Sequence, residues 1–200
     1  DSSEVNSIIN NNVNAIYEDR SGTVWFGTGG GLDKLDSSGN KFLHVWNEKI
    51  NSSKQDGGIY SILSIFEDSD GVLWIGTWAG LVEFKKENNS FTIYQNDPKD
   101  PQSLAVNYIF SINEDLNGNL WLATNGVDIF NKHTKKFTHH NHDKFDSNSL
   151  SDDGVSNILV EKSGTIWIST YGRGINKYFQ PNGYVKKYYL ETAEILNAGF

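Results

Sequence analysis

Four segments of this chain align without gaps, and that internal repetition constrains the fold more than any local pattern does. They are VNAIYEDRSGTVWFGT from Val13, ILSIFEDSDGVLWIGT from Ile62, IFSINEDLNGNLWLAT from Ile109 and VSNILVEKSGTIWIST from Val155. Trp25, Trp74, Trp121 and Trp167 mark the phase. Each unit continues through a glycine joint into a second apolar alternation: GLDKL from Gly31, GLVEF from Gly80, GVDIF from Gly126 and GINKY from Gly174. A third alternation closes the unit, at FLHVW from Phe42, FTIYQ from Phe91, FTHHN from Phe137 and YVKKY from Tyr184. Alternation of period 2, bounded by Gly, Asn, Asp and Ser, is the pattern of half-buried strands in hairpins. Each repeat therefore predicts four short antiparallel strands.

The turn between the first two strands is the most regular feature. Asp19, Asp68 and Asp115 stand three residues before Gly22, Gly71 and Gly118, and the Trp follows three residues later. A short carboxylate accepts hydrogen bonds from turn N–H groups, Gly tolerates positive φ, and the Trp fills the space between sheets. In the fourth repeat Gly164 and Trp167 persist, but Val160 and Glu161 replace the Glu-Asp pair. A bulged turn is expected there.

Four-stranded units at a period of about 40 to 50 residues are propeller blades, each burying its faces on its neighbours. The chain reads as all-β, a single propeller segment with blades over about 13–46, 59–95, 106–140 and 155–189 and a tail over 190–200 that fits no blade position. Polar linkers run from Asn47 to Gly58, Asn96 to Ala105 and Asn141 to Gly154, which are natural places for binding loops.

Composition narrows the function. With 6 Trp, 9 Tyr, 11 Phe and 19 Gly against 3 Pro, the content suits many short strands and tight turns. A net charge of −8 with no basic run argues against a nucleic-acid partner. The absence of Cys removes disulfides, thiolate metal sites and Cys nucleophiles. No apolar stretch approaches the roughly 20 residues that span a bilayer, so this segment is expected to make no membrane contact. There is no Met, initiator included, which predicts an excerpt or a processed chain.

The pattern V-x-x-I-x-E-D-x-x-G-x-x-W-I-G-T followed by G-L resembles the two-component regulator propeller repeat. The linkers NDPKDPQSL, Asn96 to Leu104, and SNSLSDDGV, Ser147 to Val155, resemble that family's blade connector. The resemblance runs from about Val13 to Tyr189. It implies a portion of a larger, commonly seven-bladed propeller in the periplasmic or extracellular part of an inner-membrane hybrid sensor kinase of Bacteroidetes, responding to oligosaccharides. Four blades here, with no transmembrane, kinase or receiver segment, imply an open arc whose partners are the remaining blades or a second subunit.

Candidate sites follow from where the repeat holds and where it breaks. Asp68-Ser69-Asp70-Gly71 resembles the start of a calcium loop, but a third ligand and the distal Glu are missing. Asp19, Asp68 and Asp115 also resemble the Asp-box of sialidases, in which the Asp stands one position nearer the Trp. Their recurrence at one turn makes them structural. His139, His140 and His142 form the densest set of potential metal ligands, yet no acidic or Cys partner is fixed near them by spacing, and a solvent-facing outer strand explains them. His44 and His133 are read as isolated surface residues. No metal or other cofactor is expected. Neither a G-x-S-x-G elbow, an H-E-x-x-H pair nor a phosphate cradle is present, so no catalytic residue is assigned. Thr28-Gly29-Gly30-Gly31 is a tight connection belonging to the repeat.

The repeat breaks after the Thr of each second strand, at Gly29-Gly30, Trp78-Ala79, Asn125 and Tyr171-Gly172-Arg173. Trp78 and Tyr171 could stack on the flat face of a sugar or other small ligand, with Asn125 and Arg173 supplying directional hydrogen bonds. The plainer alternative packs Trp78 and Tyr171 on the adjacent blade and pairs Arg173 with a surface carboxylate. Three functions compete: a non-catalytic sensor, a propeller lyase resembling the streptogramin-inactivating enzymes, and a structural or dimerisation arc. The lyase would need a metal and a His base on the central face, whereas these histidines fall in outer strands.

Overall fold

The structure is a computed structural model that describes residues 4–5, 7–46, 61–179 and 183–189. The described residues form strands and turns only, in four antiparallel sheets. A short strand β1 (Glu4–Val5) pairs with the last strand of the first blade, which is β2 (Val13–Glu18), β3 (Val24–Thr28), β4 (Gly31–Leu35) and β5 (Phe42–Trp46). The second blade is β6 (Ile62–Glu67), β7 (Leu73–Thr77), β8 (Leu81–Lys85) and β9 (Ser90–Tyr94). The third is β10 (Ser111–Glu114), β11 (Leu120–Thr124), β12 (Gly126–Asn131) and β13 (Lys136–His140). The fourth is β14 (Val155–Val160), β15 (Ile166–Thr170), β16 (Ile175–Phe179) and β17 (Tyr184–Tyr188). Within each blade the four strands lie in chain order, with β1 added beside β5 in the first sheet, so the expected four-stranded blades are present. The tail and the linker from Asn47 lie outside the described residues.

The blades are held by what lies between them. Trp25 of the first blade is buried against Ile62, Leu73, Ile75, Val82 and Phe84 of the second. Trp74 is buried with Ile109, Leu120, Leu122 and Phe130 of the third, and Trp121 with Val155, Ile158, Ile166 and Ile168 of the fourth. Each core is thus shared by two sheets, and each fully buried side chain in it contributes on the order of 2 kcal/mol. The Gly in the W-x-G-T pattern follows from this approach: a Cβ on Gly76 would stand 2.6 Å from the carbonyl oxygen of Ile109. The Ile109 N–H donates across the same seam to the Thr77 carbonyl at 3.1 Å.

The Asp turns are built as their residue types predict. Asp68 Oδ1 accepts from the N–H groups of Asp70 and Val72 at 3.0 and 2.9 Å, while Oδ2 accepts from the Trp74 indole at 2.7 Å. Asp19 with Trp25 and Asp115 with Trp121 repeat the arrangement. Gly22, Gly71 and Gly118 carry φ of +82°, +82° and +78°, the conformation that excludes most other residues. In the fourth blade the expected bulge is absent. Gly164 N–H still donates to the Glu161 carbonyl at 2.9 Å and has φ +84°. The longer Glu161 side chain reaches the Trp167 indole at 2.6 Å and the Ser163 hydroxyl at 2.9 Å. It gives up the two backbone N–H bonds rather than the turn.

A second ladder of charges ties the first turn to the second blade and the second turn to the third. Glu67 accepts from the Arg20 N–H at 2.8 Å, and Glu114 from the Ser69 N–H at 2.6 Å. Lys86 joins Asp19 and Glu67, and Lys132 joins Asp68, Asp70 and Glu114.

His44 is not the isolated surface residue expected, and of the row expected to face solvent His139 and His142 are exposed while His140 is half-buried. His44 Nδ1 lies 2.5 Å from the fully buried carboxylate of Asp33, and His139 Nδ1 2.7 Å from that of Asp128. These carboxylates hold incoming chain: Asp33 accepts from the Ile9 N–H and Asp128 from the Ala105 N–H, as Asn176 does from Ser151 in the fourth blade. The second blade has Val82 there, opposite Ile93 rather than a His. A buried carboxylate needs a compensating partner, which the cross-strand His supplies. His140 stacks on Trp121 with ring centroids 6.2 Å apart, and His142 donates from Nδ1 to the Leu150 carbonyl at 2.7 Å. His133 is exposed, as expected.

Candidate ligand-binding ridge

Every inner strand begins, and every joint between second and third strands lies, at one end of the blades. The threonine that closes each second strand fixes its joint, its hydroxyl turned onto the carbonyl of the glycine that follows: Thr77 to Gly80 at 2.9 Å and Thr170 to Gly174 at 3.1 Å. The joint backbone is also tied to the entering chain. Trp78 N–H donates to the Ser61 carbonyl at 3.2 Å, and Tyr171 N–H to that of Gly154 at 2.8 Å. A side chain at these positions therefore stands on fixed backbone and projects over the end of the arc.

Four rings meet there. Trp78 lies 6.0 Å from Tyr108 and 5.9 Å from Phe110, Tyr108 lies 5.4 Å from Phe110, and Phe110 lies 6.5 Å from Tyr171. The row crosses three blades, from the joint of the second, over the entry to the third, to the joint of the fourth. Tyr108 and Phe110 are half-buried, while Trp78 is 53% and Tyr171 66% exposed. Trp78 thus packs on the neighbouring blade, as the plainer alternative has it, while part of its ring surface stays in solvent.

Asn125 and Arg173 do not join the rings by any contact. Asn125 is exposed, pairs across a bridge with Gly154, and its carbonyl accepts from the Asn141 amide at 3.0 Å. Arg173 is 72% exposed and stands 4.0 Å from Asp152, the surface pairing of the plainer alternative. Tyr108 and Phe110 were not anticipated. The available signal was a repeat break at the entry to the third blade, where the corresponding residues are Asn12 and Asn14, Ser61 and Leu63, and Gly154 and Ser156.

The ridge offers flat apolar ring surface flanked by amides, a guanidinium and a carboxylate, which suits stacking and hydrogen bonding rather than bond cleavage. No group of three or more His, Asp or Glu among the described residues is placed to hold a metal ion.

Residues 7–30 and 55–79 match the family model of the two component regulator propeller. Those two segments are similar to repeats of that family. A solved structure similar to it is the extracellular domain of a hybrid two component system from B. thetaiotaomicron, at 29% identity and a TM-score of 0.76, covering 92% of this chain and 25% of that one. A second is the extracellular domain of a one component system from the same organism, at 23% identity and a TM-score of 0.71, covering 98% of this chain and 24% of that one. The chain spans about a quarter of the length of these structures. Virginiamycin B lyase from Staphylococcus aureus is similar at 16% identity and a TM-score of 0.66, over 94% of this chain and 59% of the lyase, a likeness of fold alone. No curated protein sequence matches the chain.

Proposed function

We propose that this chain is a non-catalytic, ligand-sensing segment of the extracytoplasmic propeller of a two-component regulator, and that its ring row receives the ligand. The observation that carries the reading is the ridge itself: four aromatic side chains from three blades, in contact and partly exposed, at positions where an otherwise regular repeat departs from its pattern. Similarity to extracellular domains of bacterial regulators supports placement in the periplasm or outside the cell. The ligand class that suits the rings is an oligosaccharide or another small molecule with a flat apolar face, oriented by Asn125 and Arg173 at the margin.

Calorimetric titration of the chain with a panel of neutral oligosaccharides, paired with Trp fluorescence, tests this. Trp78→Ala and Tyr171→Ala should each weaken a binding oligosaccharide by about tenfold or more while leaving the thermal melt unchanged, as expected for exposed aromatic anchors. Undiminished affinity in both variants would remove the ridge as the site.

A further inference from the structure

The joints between second and third strands differ in length, and the differences shape the end of the blades on which the ridge lies. Two residues, Trp78 and Ala79, separate Thr77 from Gly80 in the second blade, and three, Tyr171, Gly172 and Arg173, separate Thr170 from Gly174 in the fourth. In the third blade Asn125 alone separates Thr124 from Gly126. That short joint is held down on the entering chain: Gly126 N–H donates to the Asp153 carbonyl at 2.6 Å, and Asn125 bridges to Gly154. The rim is therefore low over the third blade, with a large ring on either side of it.

Those two rings make no contact with each other. Trp78 and Tyr171 each meet Phe110, at 5.9 and 6.5 Å and at 87° and 84° to its plane. Phe110 is fixed between them, its N–H donating to the Ala123 carbonyl at 2.9 Å. It is half-buried, so the two ends of the row keep more ring surface in solvent than its middle does. Polar groups on this rim are open as well. Among the described residues neither the Trp78 indole nor the Asn125 side-chain amide has a hydrogen-bond partner, whereas the indoles of Trp25, Trp74, Trp121 and Trp167 each donate to a carboxylate.

We propose that the ridge is a two-point platform that selects its ligand by length. One ring of an extended oligosaccharide stacks on Trp78 and another on Tyr171, and an intervening unit lies over the third blade, where Asn125 and the Trp78 indole meet its hydroxyl groups. The inference rests on the ligand reading above and adds that a mono- or disaccharide engages one ring only. Once a ligand is long enough to reach both rings, contact with the second is intramolecular, and affinity rises at that length. A blade following the fourth would set its entry beside Tyr171 as the third sets Tyr108 and Phe110 beside Trp78, and Trp78 keeps 53% of its surface open in that setting.

Calorimetric titration of the chain with neutral β-1,4-linked gluco-, xylo- and manno-oligosaccharides of one to six units tests this. In the series that binds, affinity should rise by about tenfold or more between the disaccharide and the longer members. Trp78→Ala and Tyr171→Ala should each return the longest member to near the affinity of the disaccharide, cost the disaccharide itself much less, and leave the thermal melt unchanged. Affinity that is flat from one unit to six, or a length gain that survives either substitution, overturns the two-point platform and leaves the ligand reading standing. No binding at any length in any series overturns both.

Discussion

The ammonium of Lys132 sits 2.9 Å from the carboxylate of Asp68, a residue of the preceding blade, and only 9% of that lysine side chain is exposed. The same nitrogen is 2.6 Å from Glu114 and 2.8 Å from Asp70. Burial works against the charge on Lys132, but the three carboxylates outweigh it and hold its pKa above the ordinary lysine value. Replacing it with Met keeps the aliphatic stem and strands Asp68 without its cation. Lys132→Met should therefore cost about 3 kcal/mol in urea unfolding. Lys85, half exposed and 3.6 Å from Glu83, is the control, and Lys85→Met should cost less than about 0.5 kcal/mol. Equal effects at the two sites would show that the ladder adds nothing beyond surface charge.

Asp19 links the same ladder to acid stability. Burial raises its pKa, but hydrogen bonds from Ser21, Trp25, Lys86 and the Thr23 N–H together hold it far below the ordinary carboxylate range. A lowered folded-state pKa contributes stability that is present above the unfolded value of about 4 and disappears as pH falls through the folded one. Asp19→Asn removes that titration and the ion pair to Lys86. The variant should lose about 1 to 2 kcal/mol at pH 7, with a gap to the parent that narrows progressively below pH 4. Urea midpoints measured from pH 2 to pH 7 read this directly, and a gap constant with pH would contradict it.

Much of this architecture is written in the sequence because the repeat carries its own phase. The Asp, Gly and Trp of each turn fix where two strands meet, and alternation fixes which side of each strand is buried. Position within the repeat also pointed to Trp78 and Tyr171. It did not reveal Tyr108 and Phe110, which lie just ahead of β10, because only the joint of one blade lying over the entry of the next brings them together with Trp78 and Tyr171. The pairing of Asp33 with His44 and of Asp128 with His139 was equally hidden. Each pair is separated by a turn, and the register that sets them opposite one another is a property of the folded hairpin. Partners of Lys86 and Lys132 lie on the preceding blade and were hidden for the same reason.

The fourth blade offers a substitution that repairs a departure from the repeat. Glu161 keeps the bond to Trp167, and its pKa is lowered chiefly by that indole and by Ser163, but Thr165 N–H is left with a long 3.4 Å contact to the Ser163 hydroxyl. In the other three turns one Asp carboxylate serves both the indole and the backbone. Glu161→Asp should thus raise the thermal midpoint, while Glu161→Ala should lower it. If aspartate proved no better than alanine, the turn would owe its shape to Gly164 alone.

His139 gives the chain a pH dependence of the opposite sense to that of Asp19. Burial disfavours its protonation, yet the hydrogen bond and charge of Asp128, with the Pro101 carbonyl, more than compensate, so its pKa is raised. Burial also raises the pKa of Asp128. A His with a raised folded-state pKa contributes stability that is full below its unfolded value of about 6.5 and is lost as pH rises through the folded value. Asp128→Asn keeps an acceptor for the Ala105 N–H, as Asn176 already provides for Ser151, and removes the charge that His139 answers. The variant should bring the His139 titration, followed by NMR, back toward the ordinary value, and should flatten the stability profile above pH 6.5. An unshifted His139 titration in the variant would mean that the Pro101 carbonyl and the surrounding linker, rather than Asp128, set its protonation.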